Sequence, residues 1–205
     1  MIKNIIFDMG GVLIRFDPQY FIARLGISGE DAALLYQEVF RSVEWVQLDR
    51  GTISERQAIE QMMQRIPARL QDAVQKLVSM WDRPILPIEG MAELIGELKH
   101  AGYRIYLLSN ASLRQPDYWS RVPGHELFDG TLISADVQLL KPEAAIYHLL
   151  LEKFSLKGEE CLFIDDNAGN IEGAVNCGIH GVVFHGDTAK LRHILAEKFS
   201  VALSK

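Results

Sequence analysis

The 205-residue sequence predicts an α/β fold, a doubly wound parallel sheet with a small helical bundle inserted near its start. Three observations predict it. The runs Ile5-Ile6-Phe7, Ile105-Tyr106-Leu107-Leu108 and Cys161-Leu162-Phe163-Ile164 lack the alternation of a half-exposed strand and read as strands covered on both faces. From Ile88 onward such runs alternate with segments of helical periodicity, which implies βα units and a parallel sheet. Between about Asp17 and Trp81 the periodicity is helical and no strand is convincing.

In chain order, the first strand ends at Asp8 and is followed by Met9, Gly10 and Gly11. A carboxylate delivered by a buried parallel strand stands at the carboxyl edge of the sheet, where open α/β folds place their ligands. Paired glycines let the backbone turn sharply beside it. In the insertion, Ser28-Gly29-Glu30-Asp31 resembles a capped helix start, and Leu35, Val39 and Ser42 share a face with Tyr36, Phe40 and Val43 beside them. Thr52-Ile53-Ser54-Glu55 fits a capping box, with Ile59, Met62, Met63 and Ile66 following at helical spacing. Leu70, Val74, Leu77, Val78 and Trp81 form a third stripe, so a bundle packed over the Asp8 edge is expected. Pro84 and Pro87 punctuate the return.

Ile88, Met91, Leu94, Ile95 and Leu98 then mark an amphipathic helix stopped near Gly102. The strand after it ends in Ser109-Asn110, and the short apolar segment Thr131-Leu132-Ile133 follows a turn at Pro123-Gly124. Lys141-Pro142-Glu143 reads as a helix entrance with proline at the first helical position, continued by Ala145, Ile146, Leu149, Leu150 and Phe154. The next strand ends in Asp165-Asp166-Asn167. Ile171, Ala174 and Val175 form a helix stopped by Gly178, Val182-Val183-Phe184 a strand, and Leu191, Ile194 and Leu195 the last helix.

Composition removes several function classes. The balance of 21 basic and 27 acidic residues, net −6, offers no basic stripe for a phosphate backbone, so no nucleic-acid partner is expected. No apolar run reaches bilayer length and the N-terminus has no leader pattern, so no membrane partner and a cytoplasmic location are expected. Cys161 and Cys177 have no metal-ligand spacing and read as reduced thiols. The six histidines, His125 and His185 among them, show no ligand spacing either.

The predicted strands bring Asp8, Ser109 with Asn110, and Asp165 with Asp166 to one sheet edge, with Lys141 between the last two. Singly, Ser109-Asn110 also reads as a turn or cap, Lys141 as a surface charge and Asp165-Asp166 as a capping pair. Together, clustered carboxylates repel unless a cation holds them, and Mg²⁺ with oxygen ligands suits such a set. A lysine with hydroxyl and amide donors beside it matches the oxygens of a phosphoryl group.

The succession Phe7-Asp8-Met9-Gly10-Gly11-Val12, Leu107-Leu108-Ser109-Asn110, Lys141-Pro142-Glu143 and Phe163-Ile164-Asp165-Asp166 resembles the four motifs of the haloacid dehalogenase-like (HAD-like) hydrolases, most of them phosphatases. The resemblance implies a Rossmann-like core over residues 1–16 and 84–205 and a helical cap over 17–83. It implies that Asp8 is the catalytic nucleophile, forming an aspartyl-phosphate, and that Ser109, Asn110 and Lys141 bind the phosphoryl group. Mg²⁺ would be held by Asp8, the Gly10 carbonyl and Asp166, with Asp165 as an adjacent or outer ligand and Asn170 where relatives often carry another acid. The substrate would be a small phosphorylated metabolite.

One position departs from the family pattern. Where most of its phosphatases have a second aspartate two residues after the nucleophile, acting as acid and base, this chain has Gly10. A glycine there resembles a bacterial sugar-phosphate phosphatase subgroup that includes glucose-1-phosphate phosphatases. Lacking that acid, the enzyme is expected to prefer anomeric or otherwise activated phosphates, unless Asp17, a possible acid/base at the entry to the cap, supplies the proton; Asp17 also reads as a helix-cap acid before Pro18. Two other readings stand beside the phosphatase: a 2-haloacid dehalogenase, which would need no metal, and a catalytically weakened binding or regulatory protein. Arg41, Trp45 and Arg50 are candidate substrate contacts from the cap and equally read as packing or surface groups.

Overall fold

The computed structural model describes residues 1–203. β1 (Asn4–Phe7) is followed by five helices, α1 (Pro18–Ala23), α2 (Gly29–Leu35), α3 (Val43–Arg50), α4 (Glu55–Met63) and α5 (Gln71–Ser79). The chain continues through α6 (Met91–His100), β2 (Arg104–Ser109), α7 (Gln115–Trp119), β3 (Gly130–Ile133), α8 (Ser134–Val137), α9 (Ala144–Lys153), β4 (Cys161–Asp165), α10 (Ala168–Asn176), β5 (His180–Val183) and α11 (Thr188–Phe199). The strands form one sheet in the order β3-β2-β1-β4-β5, with every pairing parallel.

Each strand feeds two cores. Ile5 and Phe7, with Ile105, Leu107 and Ile164, pack under Met91, Leu94, Ile95, Leu98, Leu191 and Leu195 of α6 and α11. Ile6, Tyr106, Leu108 and Phe163 go to the other face, beneath Ile146, Tyr147 and Leu150 of α9 and Ile171 and Ala174 of α10. Burial on both faces is why these strands are continuously apolar. Phe7 lies opposite Leu107 on one side and Ile164 on the other, so Asp8, Ser109 and Asp165 reach the same carboxyl edge. The chain runs from β1 out to β2 and β3 and returns to β4 and β5 on the other side, so the strand order reverses at β1 and leaves a crevice there.

The helices α1 to α5 enclose a third core built from Phe21, Ile22, Leu35, Val39, Leu48, Met62, Val74 and Leu77. Phe16 enters it beside Phe21, Phe40, Trp45 and Trp81, with ring centroids 5.7, 6.0, 5.9 and 5.2 Å away. Three local features differ from the sequence pattern. The stripe expected to continue past Leu35 widens into a π-helical turn over Tyr36–Phe40, and Ser42 accepts the Trp45 N–H at 3.2 Å, so it caps α3 instead of extending α2. Gly51, left-handed with φ 72°, ends α3, and the Thr52 N–H bonds back to Gln47. The capping box is therefore Ser54 with Gln57, two residues beyond Thr52. Pro142 lies in a turn closed by the Glu143 N–H to the Leu140 carbonyl, and α9 starts only at Ala144.

The return from the insertion is fixed by Asp82, which is fully buried. Its carboxylate pairs with Arg114 at 2.6 Å and with Arg121, and Arg114 also donates to the Val78 carbonyl at 2.9 Å. Burial works against this anion, but the two guanidiniums outweigh it and hold Asp82 below the usual carboxylate range. A depressed folded pKa contributes stability that is present above the unfolded value and lost as pH falls. Asp82→Asn is expected to cost about 2–3 kcal/mol at pH 7, because Arg121 stays partly in water. In urea unfolding, the gap to wild type should stay constant above about pH 4 and close only as pH falls below it.

Candidate active site

Asp8 leaves β1 into a turn in which Leu13 and Ile14 N–H groups donate to the Met9 carbonyl at 2.8 and 3.0 Å. The turn folds the chain back so that the Met9 N–H donates to Asp8 Oδ1 at 2.7 Å. Gly11 has a φ of 76°, and a Cβ there would lie 2.3 Å from Asp166 Oδ2, so glycine is needed both for the backbone and for the approach of that carboxylate.

Lys141 is buried at 4% exposure, and its ammonium uses all three hydrogens. Nζ lies 2.8 Å from Asp8 Oδ1 and 2.7 Å from Asp165 Oδ2, and donates to the Leu108 carbonyl at 3.0 Å. Asn110 clips the lysine's backbone: its Oδ1 accepts the Lys141 N–H at 2.9 Å and its Nδ2 donates to the Lys141 carbonyl at 3.1 Å. Asn110, expected to contact a phosphoryl group, is thus engaged in placing the lysine. Asp165 accepts from Lys141, from the Asn167 N–H at 2.7 Å and from Asn170 Nδ2 at 3.1 and 3.0 Å, which fills both of its oxygens. Ser109, at the end of β2, and Asn170 line the same cavity as Asp8.

Carboxylate oxygens of Asp8, Asp165 and Asp166 lie within 4.8 Å of one another. Burial pushes the Asp8 carboxyl up to about 6 against the pull of Lys141, with the charge of Asp165 adding to the rise. Burial and Asp165 also raise Asp166. Lys141 is raised despite its own burial, by Asp8 and Asp165. Among the described residues Lys141 pairs with Asp8 and Asp165 and no cation pairs with Asp166, so the cluster is short of positive charge. Asp8 Oδ2 accepts no protein hydrogen bond among the described residues, and no other residue among them donates to the Asp166 carboxylate. That donor set fits a hard divalent cation with oxygen ligands, with Asp165 already saturated behind it.

The site opens into a cavity of about 440 Å³, floored by Asp8, Ser109 and Asp166 and walled by Phe16, Trp45, Trp81 and Tyr118. The helical insertion closes over it. Arg50 donates to Glu143 at 2.6 and 3.3 Å and to the Gln138 carbonyl at 3.3 Å, while Ser134 Oγ donates to the Asp49 carbonyl. A Cβ at Gly51 would lie 2.3 Å from the Ala135 carbonyl, so the end of α3 sits tightly on α8.

Trp45 is thus a cavity wall, Arg50 a tie between insertion and sheet, and Arg41 exposed. Asp17 is not among the cavity residues. It caps α1, accepting the Tyr20 N–H at 3.0 Å, and pairs with Arg15 at 2.5 Å. Its slight burial is outweighed by these two partners, which hold it below the usual carboxylate range and keep it ionised. The cavity contains an acid that sequence reasoning missed, Asp49 in the last turn of α3. Burial, then the charge of Asp8, pushes it up to about 8. A local signal existed, because an acid in a helix's last turn opposes the helix dipole and calls for another reason to be there.

A protein-family model described as haloacid dehalogenase-like hydrolase matches residues 2–178. The chain belongs to that family. Among curated relatives it is 28% identical over 183 residues to the sesquiterpene phosphatase astK of Aspergillus oryzae, covering 88% of each chain. It is 24% identical over 211 residues to a phosphorylated carbohydrates phosphatase of Thermotoga maritima, covering 99% of this chain and 94% of that one. It is 26% identical to the drimenol cyclase drtB of Aspergillus calidoustus, of whose length it spans only 34% while 90% of this chain is covered. Among solved structures, a wild-type HAD family enzyme of Bacteroides thetaiotaomicron in complex with magnesium and inorganic phosphate superimposes with a TM-score of 0.68 at 23% identity, covering 93% of this chain and 99% of that one. That likeness is one of fold.

The geometry makes Lys141 the charge on which the HAD-like site depends. Lys141→Met leaves Asp8 and Asp165 facing each other without a counter-ion, and a loss of about 3–5 kcal/mol is expected at pH 7. A carboxyl whose folded pKa is raised regains stability on acidification, so in urea denaturation the deficit should be smaller at pH 5 than at pH 7.

Proposed function

We propose that the protein is a Mg²⁺-dependent phosphatase that passes a phosphoryl group from a small metabolite to Asp8 and then to water. The observation that carries this reading is the carboxylate cluster, under-neutralised by Lys141 alone, on the floor of the cavity beneath the helical insertion. Asp8, held through Oδ1 by Lys141 and the Met9 N–H, is oriented as nucleophile with its second oxygen free of protein donors. Ser109 would donate its hydroxyl to a phosphoryl oxygen, and the Lys141 charge offsets repulsion between an anionic ester and the acids. Asp8, Asp166 and the Gly10 carbonyl would hold Mg²⁺, with Asp165 as an outer strut. The ion, when bound, supplies charge neutralisation for the phosphoryl oxygens. In this reading residues 17–83 are a cap that shields the reaction from water over a core of 1–16 and 84–205.

A sugar phosphate is the first substrate class to consider. The cavity volume suits one, the polar groups of Asp49, Ser54, Glu55 and Arg114 reach the cavity, and the Thermotoga maritima relative is named for phosphorylated carbohydrates. The aromatic wall of Phe16, Trp45, Trp81 and Tyr118 favours a second class, phosphates of apolar alcohols, in keeping with the name of the Aspergillus oryzae relative. A dehalogenase is disfavoured because it has no use for a cation to balance the cluster. The free thiols of Cys161 and Cys177 suit the reducing cytoplasm.

The expected result is phosphate release that requires Mg²⁺, measured over a panel of sugar phosphates and apolar-alcohol phosphates. Asp8→Asn should lower turnover by several orders of magnitude without unfolding the protein, and Asp166→Ala should raise the Mg²⁺ concentration needed for half-maximal activity. Chloride release from 2-haloacids without metal would establish the dehalogenase instead, and neither activity would leave a binding protein.

A further inference from the structure

With Gly10 two residues beyond the nucleophile, β1 provides no group to protonate the departing alcohol. Asp17 is an ion-paired helix cap outside the cavity. Asp49 differs from it in each respect. It lines the same cavity as Asp8, approaching from the opposite, helical side. Its carboxyl makes no hydrogen bond or ion pair among the described residues, whereas its backbone is pinned. Ser134 holds its carbonyl, Arg50 is tied to Glu143, and Gly51 rests on the Ala135 carbonyl. The side chain is therefore held in the cavity by its backbone and committed to no protein partner.

The cations around Asp49 are already engaged. Lys141 is shared by Asp8 and Asp165, Arg114 pairs with Asp82 and Glu55, and Arg50 pairs with Glu143. The remaining charged groups at the cavity, Asp8, Glu55 and Asp166, are acids, and Tyr118 presents a neutral phenol. Among the described residues no side-chain cation at the cavity is left unpaired to stabilise an Asp49 anion, a setting that favours the protonated carboxylic acid. The rise of Asp49 to about 8 agrees with it.

We propose that Asp49, carried by the helical insertion, is the proton donor and acceptor that position 10 lacks. The role rests on the phosphatase reading above. As Asp8 oxygen bonds to phosphorus, the bond from phosphorus to the ester oxygen breaks, and its electron pair stays on that oxygen. The oxygen takes the Asp49 proton and leaves as the alcohol. In the second half, water oxygen bonds to phosphorus and the Asp8–phosphorus bond breaks, its pair returning to the Asp8 carboxylate. Asp49 accepts the proton from that water, so inorganic phosphate leaves and both acids are restored. The acid arrives only with the closed insertion, which couples closure over a substrate to catalysis.

The test compares wild type, Asp49→Asn, Asp49→Glu and Asp17→Asn with Mg²⁺ on glucose 6-phosphate, a primary alkyl ester, and on 4-nitrophenyl phosphate, whose leaving group needs no proton. Asp49→Asn should lose roughly 10²–10⁴-fold in kcat on glucose 6-phosphate, with KM changed little. On 4-nitrophenyl phosphate it should release a burst of about one nitrophenol per site and then turn over slowly, because phosphorylation no longer needs the acid while dephosphorylation still needs the base. Asp49→Glu should recover part of the alkyl-ester activity, and the thermal midpoints of the folded variants should match wild type. Equal losses on both esters with no burst, retained alkyl-ester activity in Asp49→Asn, or the selective loss appearing in Asp17→Asn would overturn the role of Asp49 alone. A wild type that turns over only the aryl ester would do the same. A wild type that releases phosphate from neither these esters nor the wider panel would remove the phosphatase reading, and this proposal with it.

Discussion

A single ammonium group holds the sheet edge together. Lys141 Nζ sits between Asp8 and Asp165, 2.8 and 2.7 Å from their oxygens, with the Leu108 carbonyl taking its third hydrogen. The two acids end different strands and are buried close to one another. Without a cation between them the carboxylates at the ends of β1 and β4 would repel. The surrounding contacts serve this placement. Asn110 clips the lysine's backbone, Asn170 fills the remaining capacity of Asp165, and Gly11 gives way so that Asp166 can close on the turn.

The same economy explains the division of labour among the acids. Asp165 spends both oxygens on the protein, so it supports and does not reach outward. Asp8 keeps one oxygen without a donor, and Asp166 accepts from no other residue among those described. Adjacent residues on one strand end thus differ in chemistry because the β4 pleat sends Asp165 inward, while Asp166 stands exposed beside the next turn. Whatever occupies the cavity meets uncompensated negative charge at its floor and aromatic rings on its walls, a combination that suits a cation-bridged phosphate ester.

The insertion is tied to the rest of the chain at two places, the Asp82–Arg114–Arg121 cluster and the end of α3. The Arg50–Glu143 pair alone is partly exposed and worth little. The fit of Gly51 against α8 and the hydroxyl of Ser134 on the Asp49 carbonyl add shape and direction. The residue that follows Lys141 and Pro142, Glu143, thereby links the lysine's own turn to the insertion.

The sequence by itself determined the class of fold, the helical insertion and the strand-end residues. Each of these follows from local facts: two-sided burial makes a strand apolar throughout, helical spacing marks a bundle, and an acid or Ser-Asn pair directly after an apolar run must stand at the strand's end. Local pattern erred by a residue or two where the backbone chose between neighbouring donors, as at Ser42, Ser54 and Glu143. The roles within the site were decided only by tertiary structure. That Asn110 serves the lysine, that Asp165 is saturated and Asp166 is not, and that Asp17 is held by Arg15 depend on which partners arrive from elements far apart in the chain. Asp49 is the clearest case. An acid in a helix's last turn hints at some further role, but its place in the cavity of Asp8 follows from α3 being pressed onto α8, a contact between residues more than eighty positions apart that no local pattern records.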